Sequence, residues 1–106
     1  SQINGCAHCI ELPTRDLLKT MSVAKVVLLP VWAEVPHLFS DQYRAALAWA
    51  EEVTLVSETH ASDEAYAAAA AAFAPKDLVD LTITIAAMNA FNRLGAPFRL
   101  PVKAQA

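Results

Sequence analysis

Both cysteines of the chain stand in one short stretch, INGCAHCIELP, where Cys6, His8 and Cys9 form a C-x-H-C unit. Thiols at this spacing share one helical face, close enough for one sulfur to resolve a sulfenic acid or mixed disulfide formed on the other. A thiol must lose its proton before it attacks. The free N–H groups and dipole of a helix N-terminus favour that ionisation, and Cys6 and Cys9 lie where the first helix is predicted to begin. A protonated His8 would favour the thiolate further. The spacing also suits half of a metal site or a pair of inert, packed thiols. A zinc site would need two more ligands, and His37 and His60 are each isolated, as ordinary surface or loop residues are. Cross-linking across so short a loop adds little stability, which favours redox chemistry or metal binding over a structural staple.

Helices are the elements that must hold this unit. Glycine occurs only twice, alanine is abundant, and Ser22, Ser40 and Ser62 each precede a helix-compatible run. The spacing predicts an all-α bundle with helices over residues 6–21, 23–32, 41–57, 63–73 and 76–94. In the third, Ala46, Trp49, Val53 and Val56 trace an apolar face, with Arg44, Glu51 and Glu52 on the wetter side. Leu81, Ile83 and Ile85 alternate with threonines as a strand would, but the apolar pattern runs on through Met88, Phe91 and Leu94, too far for a strand. That helix is apolar nearly all round, so a central or intersubunit position is expected. Alanines 67–72 suit a helix that neighbours approach closely. Gly95 fits the left-handed position just past a helix end. Trp32, Trp49 and Phe91 are expected to fill a core, and Asn89 and Asn92, unusual in an apolar helix, must find partners if buried.

A length of 106 residues suits one domain, 1–106, with no linker. Hydrophobic residues make up 56% and charged residues 18%, an apolar balance that points to a subunit interface. A net charge of −3 with scattered basic residues gives no footprint for nucleic acid and no basic amphipathic helix for a membrane surface. Charged residues interrupt every apolar run before bilayer-spanning length, so a soluble chain is expected. No signal-peptide pattern opens the sequence, and a cytoplasmic location is the expectation.

The segments INGCAHCIELPTRDLL, LLPVWAEVP, RAALAWAEEVTL and DLVDLTITIAAMNAFNRL together resemble, in order and over nearly the whole chain, the alkylhydroperoxidase D-like branch of the carboxymuconolactone decarboxylase superfamily. The resemblance implies an all-helical homo-oligomer with a peroxide-reducing or disulfide-exchanging dithiol, regenerated by an external thiol reductant, and with no metal or organic cofactor. The family motif is C-x-x-C-x-x-x-H, often with a histidine just before the second cysteine. Cys6, His8 and Cys9 match it as catalytic residues, and Pro13 stands where the last histidine belongs. The family also uses a glutamate about three helical turns before the first cysteine. That position falls ahead of Ser1, so a preceding segment is expected. By the resemblance Cys9 attacks and Cys6 resolves, whereas the helix dipole alone would favour Cys6 as attacker.

Proline inside a helix removes a hydrogen bond at about 3 kcal/mol, unless the helix begins there, and Leu12-Pro13-Thr14 would make a reasonable first turn. In either case position 13 cannot exchange protons, so the base must be His8, Glu11, an upstream residue or water. Two other readings stand beside the peroxidase. One is a non-catalytic or redox-sensing helical oligomer with a degenerate proton relay. The other, a lactone decarboxylase of the superfamily, is disfavoured because that branch does not depend on a cysteine pair.

Overall fold

The computed structural model describes residues 1–103, and every regular element in them is helical. Six α-helices follow in order: α1 (Ala7–Leu17), α2 (Val23–Leu28), α3 (Asp41–Thr54), α4 (Val56–Thr59), α5 (Asp63–Ala72) and α6 (Pro75–Gly95). Turns of 3-10 helix over Leu29–Glu34 and Pro36–Leu38 join α2 to α3. The serines do what their positions predict: the hydroxyls of Ser22, Ser40 and Ser62 accept from the backbone N–H groups of Lys25, Tyr43 and Ala65.

Three predicted helices are shorter than their sequence pattern, the first ending at Leu17 and not at Met21. The second ends at Leu28, where Pro30 and the non-helical backbone of Val31 stop it. The third breaks at Leu55 (φ −98°, ψ 30°) and resumes as α4, with Thr59 Oγ1 donating to the Glu52 carbonyl across the break. The first begins at Ala7 and runs on through Pro13 to Leu17, so the alternative start at Pro13 is not adopted. Gly95 is the last residue of α6 and not a left-handed cap, because the positive φ values belong elsewhere, to Gly5 (67°) among the glycines.

The chain forms two compact units. One comprises Trp32–Ala87. Its core is Trp49 of α3, Ala69 of α5, and Leu78 and Ile85 of α6, with Val53, Ala65, Phe73 and Leu81 packed around them. Alanines of α5 let α3 pack closely against it. The polar end of Trp49 is satisfied because its indole Nε1 donates to Thr82 Oγ1 at 2.9 Å, and its ring meets Tyr66 edge-on at 6.1 Å. Trp32 is half-buried and donates to Glu51 instead, so of the two tryptophans only Trp49 is core.

The other unit is built from Ser1–Val31 and the chain from Met88 onward, bringing together segments far apart in sequence. It contains α1, α2 and the last two turns of α6, and its buried residues include Cys6, Val26, Asn92 and Gly95. Among the described residues no helix is long and apolar enough to cross a membrane.

Candidate thiol site

Cys6 is the N-cap of α1. Its extended backbone (φ −89°, ψ 101°) turns the chain into the helix, and its Sγ accepts the Cys9 N–H at 3.2 Å, the role a serine oxygen plays at the starts of α2, α3 and α5. A cap acceptor faces the free N–H groups of the first turn, so negative charge on this sulfur is favoured by position. The cysteines are joined as a disulfide, their Cα atoms 5.2 Å apart.

The two sulfurs differ in access. Cys6 is completely buried. Cys9 is partly exposed and borders two cavities, with its Sγ 3.9 Å from the Phe91 carbonyl oxygen. The larger cavity, about 300 Å³, is walled by Met88, Phe91, Leu94 and Leu100 and reaches His8 and Pro13. The smaller, about 170 Å³, opens between Gln2, Ile10, Thr14 and Leu17. Phe91, expected in the core, is 60% exposed and instead forms part of the wall beside Cys9.

His8 Nδ1 lies 2.8 Å from the Pro101 carbonyl oxygen. A carbonyl only accepts, so Nδ1 carries a proton, and it is Nε2 that is left to accept one. Pro101 reaches this point because α6 ends in a tight reversal. Ala96 N–H donates to the Asn92 carbonyl, Leu100 N–H donates to the Gly95 carbonyl, and Arg99 adopts a left-handed φ of 52°. Leu100 and Pro101 thereby close one side of the site.

Pro13 sits in the second turn of α1. Having no N–H, it leaves the Cys9 carbonyl without its helical donor. The helix holds around this gap through the Cys6 cap, the Thr14 hydroxyl donating to the Ile10 carbonyl at 2.6 Å, and a Glu11–Arg15 ion pair. Glu11 is thereby committed to Arg15, and it borders neither cavity at Cys9. His37 and His60 are exposed and lie in the other unit. Among the described residues no group of three or more His, Cys, Asp or Glu side chains is arranged to hold a metal ion.

The asparagines of α6 find their partners in the segment before Cys6. Asn4 Nδ2 donates to Asn89 Oδ1 at 2.7 Å and to Asn92 Oδ1 at 2.9 Å, and Asn92 Nδ2 donates to Ser1 Oγ at 3.1 Å. This clamp fixes the cysteine turn against α6, with Asn92 almost wholly buried. Asn92→Ala should leave a small void and remove two hydrogen bonds, costing about 2 kcal/mol. In a thermal melt followed by circular dichroism, that appears as a drop of roughly 10 °C for a chain of this size. An unchanged midpoint would show that the clamp contributes nothing.

Sequence patterns pointed to Cys6, His8, Cys9, Pro13 and the two α6 asparagines, and all six residues lie in this unit. Asn4 was missed, although its place two residues before the motif was a usable signal. The Pro101 carbonyl is a backbone group and left no signal in residue types.

A scan against protein-family models gives no match. The uncharacterized protein YdfG of Bacillus subtilis (strain 168) is 33% identical over 95 residues, which is 89% of this chain. The chain spans 64% of that relative's length. A crystal structure of an Agrobacterium tumefaciens protein of unknown function, for which a role as the antioxidant defence protein AhpD has been suggested, is 34% identical. That match covers 97% of this chain and 70% of the other, with a TM-score of 0.92.

Proposed function

Because the chain belongs to the alkylhydroperoxidase D-like branch of the carboxymuconolactone decarboxylase superfamily, we propose that it is a dithiol antioxidant protein that reduces hydroperoxides or exchanges disulfides through Cys6 and Cys9. The observation that carries this reading is the asymmetry of the pair: a buried capping sulfur bonded to one that borders an apolar cavity. An incoming oxidant meets Cys9 first. Its thiolate attacks the outer peroxide oxygen, the O–O bond breaks, the alcohol leaves with a proton, and Cys9 is left as a sulfenic acid. The Cys6 thiolate then attacks Cys9 Sγ, water leaves, and the disulfide closes. An external thiol reductant supplies the two electrons that reopen it.

His8 supports proton handling in this scheme. Its free Nε2 can take a proton from a thiol or return one to the leaving alcohol, while Pro101 holds the ring's tautomer. Exposed apolar side chains, among them Val23, Val27 and Phe98, support association with further copies of the chain.

Pro13 favours a second reading, a redox-sensing oligomer that closes its disulfide without turning over peroxide, since no proton carrier stands at that position. Stopped-flow mixing of the pre-reduced protein with an organic hydroperoxide separates the two, with the disulfide followed by mass in the same samples. The peroxidase reading expects peroxide loss matched mole for mole by disulfide. Peroxide left intact over free thiols would sink it.

A further inference from the structure

Gly95 is buried at the end of α6, and neither of the usual reasons for glycine applies to it. Its backbone is not left-handed, so an L side chain would meet no conformational penalty there. Helix propensity favours alanine. The space around it supplies the reason. A Cβ built on Gly95 would stand 2.5 Å from Cys6 Sγ and 2.9 Å from Cys9 Sγ, with Leu100 Cδ1 next at 3.8 Å. Both sulfur distances fall inside the roughly 3.5–4.0 Å at which nonbonded atoms are comfortable, so any side chain at position 95 would collide with the closed disulfide.

We infer that Gly95 is a positioning residue for the redox pair, whose missing side chain makes room for the closed disulfide and so sets how readily the pair is reduced. In the oxidised form neither sulfur can yield. Each is bonded to the other, Cys6 Sγ also holds the Cys9 N–H, and the Asn4–Asn89–Asn92 clamp keeps the turn against α6. In the dithiol form each cysteine recovers rotation about its Cα–Cβ bond, and a methyl group at position 95 is accommodated. A side chain there thus penalises one redox state selectively.

The inference rests on Cys6 and Cys9 being a redox pair, and it is tested without peroxide. In glutathione buffers, the Cys9 thiolate attacks oxidised glutathione and releases one glutathione thiolate. Cys6 then attacks Cys9 Sγ, releases the second, and closes the disulfide. Equilibrium fractions read by alkylation and mass should show Gly95→Ala lowering the constant for disulfide formation at least tenfold, a rise in reduction potential of about 30 mV for this two-electron couple. A purely structural role would lower the melting temperature of both redox forms alike and leave the potential unmoved, and that result would overturn the proposal.

Should Gly95→Ala fail to fold, the same change in a Cys6→Ser/Cys9→Ser background decides. Folding like its double-serine parent supports the proposal, since only the disulfide then objects to a side chain. Failure there too overturns it, because the backbone and not the sulfurs would require glycine. A shifted potential stands whether or not the wild-type protein consumes peroxide, so failure of the peroxidase reading is seen separately.

Discussion

Replacing Cys9 by serine is expected to abolish thiol-dependent turnover, a loss of at least about 10³-fold, while the helical fold and melting behaviour remain. The hydroxyl is a poor nucleophile near neutral pH, and the one cysteine that remains, Cys6, is completely buried. Cys6→Ser should behave differently. Serine is a good helix cap, so α1 keeps its start, and Cys9 keeps its cavity. One equivalent of peroxide should then be consumed in a burst that stalls at a Cys9 sulfenic acid, trapped by dimedone and counted by mass. The reverse pattern, a burst in Cys9→Ser and none in Cys6→Ser, would assign the attack to Cys6, as the helix dipole alone suggests.

Pro13→His should have the second-largest effect, and in the opposite direction. It returns an ionisable ring to the fourth position after Cys9, one helical turn on, where the proline borders both cavities at the sulfur. Positioned acid–base groups contribute about 10²- to 10⁴-fold, and the lower end of that range, about 10²-fold in peroxide consumption, is expected. The change also restores the N–H that the Cys9 carbonyl lacks, so stability should rise by about 2 kcal/mol, most of what a helix-interior proline forfeits. A variant that melts higher but consumes peroxide no faster would show that position 13 matters to the helix alone and that the proton passes elsewhere.

Much of this was legible because the signals were local. Ser22, Ser40 and Ser62 announced helix starts through chemistry that acts over three residues, and the cysteine spacing announced a pair. The α6 asparagines signalled a buried polar network because an apolar helix gives them no other reason to be there. What stayed illegible depends on distance. The place of Gly95 after a helical run suggests a cap, whereas its use comes from sulfurs nearly ninety positions earlier in the chain. Its type alone points Phe91 to the core, yet its environment is set by which turn of α6 faces Cys9. The break at Leu55 arises inside a run whose periodicity continues unchanged, so pattern alone could not find it.

The contacts that build this unit also order the events of its folding. The Asn4 bonds span 85 and 88 residues, and the His8–Pro101 bond spans 93. Contacts of such separation form late, because the loop entropy must be lost before they return any stability. The Cys6–Cys9 link is the exception, spanning three residues and needing only the first turn of α1. On a ribosome the thiols emerge long before Gly95, Leu100 and Pro101 have been synthesised. A nascent chain therefore carries a dithiol able to close, but without the seat or the wall that later surround it, and the surroundings are acquired only once residues 95–101 have been made.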